Sequence, residues 1–217
     1  MLELKQLTKT FPKQTTPIIH NLSVTVNQGD SVSIRGASGC GKSTLLSLIA
    51  GFDVPTSGHI LINEHEMVAP NNADEFRRHH LGVVFQSYNL FDCFNVWDNI
   101  AFTSRLKGNY DFHFQASLME KLGIGHLANQ PLSQLSGGEQ QRAAIARALV
   151  HKPSLILADE PTGNLDEDTS ELVANTLFDV CEQLNTTLVV VTHSEDVAQK
   201  AKTPYWLHKG QLKRERA

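Results

Sequence analysis

One short pattern restricts the folds open to this chain more than any other feature of its sequence. Residues 36–44 read Gly-Ala-Ser-Gly-Cys-Gly-Lys-Ser-Thr and fit G-x-x-x-x-G-K-[ST]. A strand-like stretch, Ser31–Arg35, precedes them, and a helical stretch, Lys42–Ala50, follows. In that context the glycines let backbone N–H groups surround phosphate oxygens, and the positive end of the helix dipole points at the same anion. The pattern therefore predicts a phosphate-binding loop in an α/β fold.

The side chains of this loop have separate predicted roles. Lys42 is expected to reach the β- and γ-phosphates of a nucleotide, and the Ser43 hydroxyl to ligate Mg²⁺. A plain glycine-rich connection is the alternative, and it is disfavoured because Lys-Ser-Thr follows at the required offset. The predicted nucleotide-binding residues of the loop are Gly36, Ala37, Ser38, Gly39, Cys40, Gly41, Lys42, Ser43 and Thr44.

A second group of candidate residues follows an apolar strand further along the chain. The stretch Ser154–Ala158 leads directly into Asp159 and Glu160. An Asp at the carboxyl end of a parallel strand beside a phosphate loop is placed to bind Mg²⁺ through a water ligand, and the next Glu to polarise the attacking water. Glu160 alone would also fit a simple turn cap. Together with the phosphate loop, the pair indicates nucleotide hydrolysis.

A third motif, Ser136-Gly137-Gly138-Glu139, precedes an amphipathic helical run. Its S-x-x-E form predicts a capping box with Ser136 as the N-cap, which leaves helix-terminal N–H groups exposed beside two glycines. Taken alone, the motif fits a capped structural helix at least as well as an anion site. Two phosphate-type sites, about a hundred residues apart in one chain, favour a head-to-tail dimer in which both copies hold each nucleotide.

The chain as a whole alternates predicted strands and helices, which is typical of a parallel α/β sheet. Antiparallel strands are expected at Leu2–Leu7 and around Leu22–Val26, and a closing hairpin at Tyr205–Leu212. The stretch from about Asn89 to Gln134 has helical character and interrupts the α/β pattern. The other predicted elements are strands at Leu81–Phe85 and Thr187–Thr192 and helices at Glu139–Val150, Asp168–Leu184 and Ser194–Ala201.

Composition argues against some classes of function. A net charge of −4 does not suit a protein that neutralises the phosphates of duplex nucleic acid. The three cysteines are far apart and form no CxxC pair, which fits a reducing cytoplasm better than a disulfide or zinc framework. No apolar run approaches the ~20 residues that span a bilayer, so we expect any membrane path to come from another chain.

Three segments together, LSGGEQQR, the phosphate loop before it and LILADEPTGNLD after it, resemble the ABC ATPase family. The resemblance covers essentially the whole chain. It implies one ATPase domain, residues 1–217, with a P-loop NTPase (RecA-like) α/β core, an antiparallel β subdomain and an inserted α-helical signature subdomain at about 89–150. In the family's terms, residues 36–44 correspond to Walker A, Leu155–Asp159 to Walker B and Leu135–Glu139 to the signature motif.

The resemblance also implies roles for single residues. Gln86 corresponds to a glutamine that senses Mg²⁺ and the attacking water, His193 to a switch histidine at the γ-phosphate, and Asp166 to a loop that crosses the dimer interface. Phe11 stands where the family usually has an adenine-stacking tyrosine. Each has a plainer alternative. Gln86 could be an ordinary polar residue at a strand end and His193 a structural histidine at a strand end. Asp166 could be a helix N-cap and Phe11 a core aromatic. The implied catalytic residues are Glu160, His193, Gln86 and Lys42, and the implied metal ligands are Ser43, Gln86 and Asp159. Besides the phosphate loop, the implied nucleotide-binding residues are Phe11, Ser136, Gly137, Gly138, Glu139 and Asp166.

The implied activity is hydrolysis of ATP with Mg²⁺ by a homodimer that holds ATP between its two copies. The resemblance implies a separate integral-membrane permease bound through the lobe after Gln86, chiefly Ser87–Arg105, and a peripheral position on the cytoplasmic face of the inner membrane. No nucleic-acid partner is expected. The wording of the motifs resembles the branch that serves lipoprotein release and macrolide-type efflux. A mechanotransmission ATPase without a transported solute is the first alternative, and a soluble ABC ATPase acting on nucleic acid or ribosomes the second.

Overall fold

Two β-sheets of different character organise the protein in a computed structural model that describes residues 2–12, 15–67 and 73–215. The strands are β1 (Leu2–Lys9), β2 (Ile19–Val26), β3 (Ser31–Arg35), β4 (Ser57–Ile62), β5 (His65–Glu66), β6 (Leu81–Val84), β7 (Leu155–Asp159), β8 (Thr187–Val191), β9 (Thr203–His208) and β10 (Gln211–Arg214). The α-helices are α1 (Lys42–Ile49), α2 (Ala73–His80), α3 (Val96–Lys107), α4 (Phe112–Lys121), α5 (Gly137–Leu149), α6 (Glu167–Gln183) and α7 (Glu195–Gln199).

The larger sheet has six strands in the order β10-β9-β3-β8-β7-β6. Its neighbouring strands pair in parallel, except for the antiparallel pair β9–β10. All of β8 and the first four residues of β7 are buried, which explains why these strands are continuous apolar runs. The carboxyl ends of β3, β6, β7 and β8 meet at one edge of the sheet, where α/β proteins place their ligands.

The smaller sheet has four strands in the order β2-β1-β4-β5 and is antiparallel throughout. In β1, Leu2, Leu4 and Leu7 are buried, whereas Lys5 and Gln6 are exposed. The predicted α/β fold with an antiparallel part is thus confirmed. β1 and β2 are each a few residues longer than the apolar alternation indicated.

Three elements escaped the sequence-based prediction: β4, β5 and α2. The turn between β4 and β5 has Asn63 and Glu64 at φ 50° and 68°, the two successive positive values of a type I′ hairpin. Glutamate is unusual in such a turn, so the signal is weak in the sequence. Helix α2 is mostly polar, and only Ala73 and Phe76 are buried, which leaves little apolar periodicity.

The predicted closing hairpin is confirmed, and it joins the two sheets. Lys209 and Gly210 form its turn, with φ 48° and 76°. The His20 backbone N–H donates to the Gly210 carbonyl oxygen at 2.9 Å. A Cβ at Gly210 would lie 2.8 Å from His20 N, so glycine is required for this approach.

Apolar side chains form one core cluster on each face of the six-stranded sheet. Ile156 and Ala158 belong to the cluster with α3, α4, α5 and α6, whereas Leu155 and Leu157 belong to the cluster with α1 and the smaller sheet. This division follows from the two-residue period of a strand. Helices α3 and α4 pack against α5, and α5 lies against β6, so α5 connects the helical part to the sheet. Among the helices of the described ranges, none is long and apolar enough to cross a bilayer.

We predict that Gly82→Ala destabilises the fold through packing. A Cβ at Gly82 would lie 2.2 Å from the Ala148 carbonyl oxygen and 2.5 Å from Ile156 Cδ1. The backbone of α5 cannot yield cheaply, so the free energy of unfolding should fall by about 3 kcal/mol in urea denaturation. Gly123→Ala is the control: its φ is +66° with no atom within 4 Å, so only backbone strain applies, about 1 kcal/mol. A smaller loss for Gly82→Ala than for Gly123→Ala would contradict the packing explanation.

Candidate functional site

The glycine-rich loop lies between β3 and α1, and close backbone approaches fix its shape. A Cβ at Gly36 would lie 2.6 Å from the Leu207 carbonyl oxygen and 2.7 Å from Cys40 Sγ, so a side chain has no room there. Gly41 caps α1 with φ 109°, a conformation that favours glycine. These two glycines let the loop curl before the first turn of α1, as an anion cradle requires.

Lys42 is buried and folded back onto this loop. Its Nζ donates hydrogen bonds to the carbonyl oxygens of Gly36 at 2.9 Å and Ala37 at 3.2 Å. A bound polyphosphate would offer the same ammonium group charged acceptors, which form stronger hydrogen bonds than neutral carbonyls. The lysine is therefore already held at the loop that is predicted to bind phosphate.

Asp159 ends β7 beside the start of α1. Burial raises the pKa of the Asp159 carboxyl above its ordinary value, although a hydrogen bond from Ser43 and the charges of Lys42 and His193 favour the ionised form. The local compensation for the negative charge is thus incomplete. A cation bound between the Ser43 hydroxyl and this carboxylate would supply it, and both groups are the hard oxygen ligands that Mg²⁺ prefers.

Glu160 follows β7 in a strained backbone conformation. Its φ of 46° lies in the left-handed region, which glutamate seldom adopts. The Glu160 N–H donates to the Val191 carbonyl at 2.9 Å, and the Gly163 N–H donates to the Glu160 carbonyl at 3.1 Å. Strain of this kind costs of order 1–3 kcal/mol and persists where the surroundings fix the direction of a functional side chain.

The Glu160 carboxylate is turned toward His193. The His193 backbone N–H donates to Oε2 at 3.1 Å, and the ring Nε2 lies 3.2 Å from Oε1. That second approach lacks hydrogen-bond geometry, so Oε1 is buried without a donor among the described residues. The Glu160 side chain is 15% exposed, against 58% for His193. A buried carboxylate oxygen that lacks a donor suits a water molecule, the substrate of a general base.

Three of the four predicted catalytic residues line one cavity of about 960 Å³. Gln86, Glu160 and His193 reach it from the ends of β6, β7 and β8, as the parallel order of these strands requires. The fourth, Lys42, stays in the glycine-rich loop, and neither that loop nor residues 136–139 are among the described residues that line the cavity. The predicted phosphate loop and the predicted second anion site therefore both lie outside the described lining of this cavity.

Ser136 forms the predicted capping box at the start of α5. The Glu139 N–H donates to Ser136 Oγ at 3.4 Å, and the Ser136 N–H donates to Glu139 Oε2 at 2.8 Å. The latter bond is the main reason that the pKa of Glu139 lies below its ordinary value. A Cβ at Gly138 would lie 2.4 Å from Thr169 Cγ2, so this glycine lets α5 approach α6. The cap is confirmed, whereas anion binding by this helix end stays a prediction.

Phe11 has a neighbour that the sequence did not indicate, whereas Asp166 forms the helix-cap contact that the sequence offered as its alternative role. Lys9 Nζ lies 5.1 Å from the centroid of the partly exposed Phe11 ring, within cation–π range, while it forms an ion pair with Asp53 at 2.7 Å. Asp166 accepts a hydrogen bond from the Thr169 N–H at 3.0 Å and caps α6, which lowers the pKa of Asp166. The helix-cap alternative for Asp166 is confirmed. Adenine stacking and an interface role stay predictions.

Arg147 is a structural residue of this region that the sequence-based prediction passed over. It is buried in α5 and donates to the carbonyl oxygens of Asn89 at 2.5 Å and Tyr88 at 2.8 Å. An arginine within the apolar run AIARALV was the available signal, because a buried guanidinium needs hydrogen-bond acceptors. It fixes the backbone that follows Gln86.

Comparison with known proteins gives matches to both sequence and structure. The model of the family described as ABC transporter matches residues 19–163. The lipoprotein-releasing system ATP-binding protein LolD of Coxiella burnetii is 37% identical over 223 residues, which cover 99% of this chain and 96% of the relative. LolD of Alcanivorax borkumensis is 38% identical over 221 residues, covering 99% and 97%.

Two solved structures of the bacterial ABC transporter cassette MJ0796 have a similar fold. A dimeric structure superposes with a TM-score of 0.86 at 33% identity and covers 100% of this chain and 98% of the cassette. A dimeric post-hydrolysis state bound to ADP and Pi gives the same TM-score, 0.86, the same 33% identity and the same coverage of 100% and 98%.

We predict that Asp159→Asn stabilises the metal-free protein. The raised pKa of Asp159 in the folded state means that ionisation at neutral pH opposes folding, and this penalty is relieved as the pH falls toward the ordinary value of 3.8. In EDTA at pH 7 the variant should therefore have a higher thermal midpoint than the wild type, and the difference should narrow as the pH is lowered toward 4. Asp92→Asn, at an exposed aspartate, is the control and should show no such difference. Equal midpoints of Asp159→Asn and wild type at pH 7 would rule out the burial penalty.

Proposed function

Because this chain belongs to the ABC transporter family and is one of its ATP-binding, ATP-hydrolysing subunits, we propose that it powers a separate membrane permease of the lipoprotein-release or efflux type. Similarity along the whole chain carries this proposal: the LolD relatives that support it align with 99% of the chain. A shared fold alone would not indicate the type of system.

We infer that the working unit is a homodimer with two ATP molecules at its interface. Each chain has a phosphate loop and, separately, the capped α5 terminus with Ser136 exposed. Head-to-tail pairing would bring the loop of one copy to the α5 terminus of the other, so that both half-sites hold the same triphosphate. The dimeric cassette of similar fold supports this arrangement.

Mg²⁺ is the proposed cofactor of the reaction. Its protein ligands would be Ser43 Oγ, Gln86 Oε1 and Asp159, the last through a water molecule, an oxygen-only set that fits this ion. When bound, it would neutralise charge that develops on the β- and γ-phosphates. The incompletely compensated charge of Asp159 is the feature of this chain that suits the ion.

The proposed hydrolytic step assigns one task to each side chain. Glu160 would accept a proton from the attacking water at Oε1, which is buried and lacks a donor. His193, held beside Glu160 by its backbone N–H, would donate to the γ-phosphate. Lys42 would leave its two carbonyl acceptors for the phosphate oxygens and stabilise the negative charge of the transition state. Loss of the γ-phosphate would remove the anion that joins the two copies, and the dimer would open.

An aromatic patch after Gln86 is the proposed docking site for the permease. It consists of Phe91, Phe94 and Phe102, whose rings lie 4.8 Å (Phe91–Phe102) and 5.7 Å (Phe91–Phe94) apart. Phe91 is 39% exposed. Exposed aromatic residues of this kind are typical anchors of protein interfaces.

Buried polar side chains hold the patch in one conformation. Asn99 accepts from the Phe91 N–H at 2.8 Å and donates to the carbonyl oxygens of Phe91 at 3.1 Å and Phe94 at 3.2 Å. The Arg147 guanidinium lies 5.7 Å from the Phe91 ring centroid. A preformed patch costs less conformational entropy on binding than a flexible one. Through such docking the chain would be a peripheral protein on the cytoplasmic face of the inner membrane, with no nucleic-acid partner.

We predict that Glu160→Gln and Lys42→Ala separate hydrolysis from ATP binding. Glutamine retains an acceptor for the His193 N–H but cannot take a proton, so turnover should fall by about 100-fold or more while ATP affinity is kept. The variant should form a dimer with ATP, detected by light scattering after size exclusion. Lys42→Ala should instead weaken ATP binding itself and give no dimer. Wild-type turnover in Glu160→Gln, or a solitary subunit at saturating ATP, would contradict the proposed reaction.

A second prediction concerns the permease. Tagged Glu160→Gln protein, purified with ATP from detergent-solubilised membranes, should recover a membrane chain, and adding Phe91→Ala should weaken that recovery by about 2 kcal/mol of binding free energy. Phe112→Ala is the matched control, because Phe112 is also aromatic and 56% exposed but lies outside the patch. Recovery of ribosomes or DNA, or equal effects of the two substitutions, would count against the docking site.

A further inference from the structure

A reciprocal pair of amides, Gln86 and Asn164, links the end of β6 to the loop between β7 and α6. Gln86 Nε2 donates to Asn164 Oδ1 at 3.0 Å, and Asn164 Nδ2 donates to the Gln86 backbone carbonyl oxygen at 3.0 Å. The two residues are 78 positions apart, so only the folded chain brings them together. Asn164 has no role in the site as described above.

Donor and acceptor chemistry fixes the orientation of both amide groups. The backbone carbonyl oxygen of Gln86 can only accept a hydrogen bond, so the side-chain nitrogen of Asn164 must face it. The Asn164 oxygen then faces the Gln86 side chain, and only the nitrogen of that side chain can donate to it. Gln86 Oε1 is the atom left over, and no hydrogen bond within the described residues occupies it. This oxygen is the atom that a cation or a water proton would need.

Gly163 allows the loop to lie directly against this amide. A Cβ at Gly163 would lie 2.8 Å from Gln86 Nε2 and 3.3 Å from Gln86 Cδ. The same Cβ would lie 3.4 Å from Glu160 Cβ. The loop at Gly163 therefore lies against both the Gln86 side chain and the proposed general base, and Asn164 hydrogen-bonds the Gln86 amide from the same loop.

Backbone hydrogen bonds place Asn164 at the top of a tight turn. The Gly163 N–H donates to the Glu160 carbonyl at 3.1 Å, and the Leu165 N–H donates to the Thr162 carbonyl at 3.1 Å. Asp166 then caps α6. Asn164 is thus positioned from both sides, by the strained Glu160 and by the start of the helix.

We propose that Asn164 is a positioning residue for ATP hydrolysis, which holds Gln86 with its side-chain oxygen available to Mg²⁺ and the attacking water. The inference rests on the proposed role of Gln86 and extends it. A glutamine χ3 torsion is broad and roughly two-fold, so an unrestrained amide presents nitrogen as readily as oxygen. The nitrogen carries donor hydrogens, which repel a cation and cannot accept from water.

A double-mutant cycle tests whether Asn164 acts through Gln86. Asn164→Ala and Gln86→Ala should each lower the kcat of the purified full chain about tenfold, with the KM for ATP changed less than about twofold. If Asn164 acts only through Gln86, the double variant should lose no more than Gln86→Ala alone. Asn164→Leu, which keeps the side-chain volume but cannot hydrogen-bond, should match Asn164→Ala. The proposal would be overturned if the kcat losses of the two single variants multiplied in the double variant, or if Asn164→Ala kept the wild-type kcat.

Nuclear magnetic resonance of the nucleotide-free, metal-free protein supplies a readout other than activity. The Gln86 side-chain amide, assigned by its loss in Gln86→Ala, should exchange its hydrogen-bonded proton with water about threefold or more slowly than exposed glutamine amides. Asn164→Ala should abolish that protection. Exchange of Gln86 at the rate of exposed amides in the wild type would show that the pair does not form.

Asn175→Ala is the matched control for both measurements. Asn175 is an exposed asparagine on α6 whose Oδ1 accepts from Lys200 Nζ at 2.6 Å, so the substitution removes a similar polar contact away from Gln86. Its kcat and the Gln86 exchange rate should equal those of the wild type. The measurement of Gln86 amide exchange needs neither ATP nor dimerisation. A wild-type chain that stays monomeric with ATP would therefore refute the proposed function and leave the amide pair to be judged separately.

Discussion

The register between β6, β7 and β8 is the constraint on which the site depends. Ala158 of β7 lies opposite Val84 of β6 and Val190 of β8, so the three strands end at the same level. Within two residues of each pairing limit, the chain delivers polar side chains to a common edge, among them Gln86, Glu160 and His193. A slip of one residue would exchange the faces of a strand, because side chains alternate with a period of two. The two faces of β7 pack side chains of different shape, Ile156 and Ala158 on one and Leu155 and Leu157 on the other. A slip would mispack both core clusters, and core packing thereby positions the chemistry.

Several features of this edge oppose folding, and a bound cation and water molecule would compensate for them. Asp159 has a raised pKa because its burial is not fully compensated, Glu160 has a positive φ, and Glu160 Oε1 is buried without a donor. A neutral residue at position 159 or glycine at position 160 would relieve the corresponding cost. Their concentration within two successive residues is typical of a site prepared for a cation and a water molecule, where binding recovers part of the lost stability.

Local motifs were predictable from the sequence, whereas contacts between distant segments were not. The glycine-rich loop, the Ser136 capping box and the Lys209–Gly210 turn each depend on a few consecutive residues, and the structure has all three. The Gln86–Asn164 pair and the contacts of Arg147 with Tyr88 and Asn89 join residues 78, 59 and 58 positions apart, so no local pattern marks them. Helix α2 was missed for a different reason: it buries too few apolar residues to produce a period. The roles of Gln86 and His193 came from family resemblance, whereas those of Lys42 and Glu160 followed from the motifs themselves. The geometry adds that Glu160 Oε1 is buried without a donor among the described residues.

Three loops of one subunit are in direct contact, and this limits how the subunit can respond to ATP. A Cβ at Gly137 would lie 3.0 Å from Tyr88 Oη and 3.2 Å from Leu165 Cδ2, so the start of α5 touches both the segment after Gln86 and the loop that contains Asn164. In a head-to-tail dimer, the start of α5 would contact the ATP of the other copy, while the segment after Tyr88 carries the aromatic patch. Close-packed groups transmit displacement because they have no free volume to absorb it. Closure of the dimer around ATP would therefore move the aromatic patch at the same time. Gly137 allows this coupling, because a side chain there would push the start of α5 away from Tyr88 and Leu165.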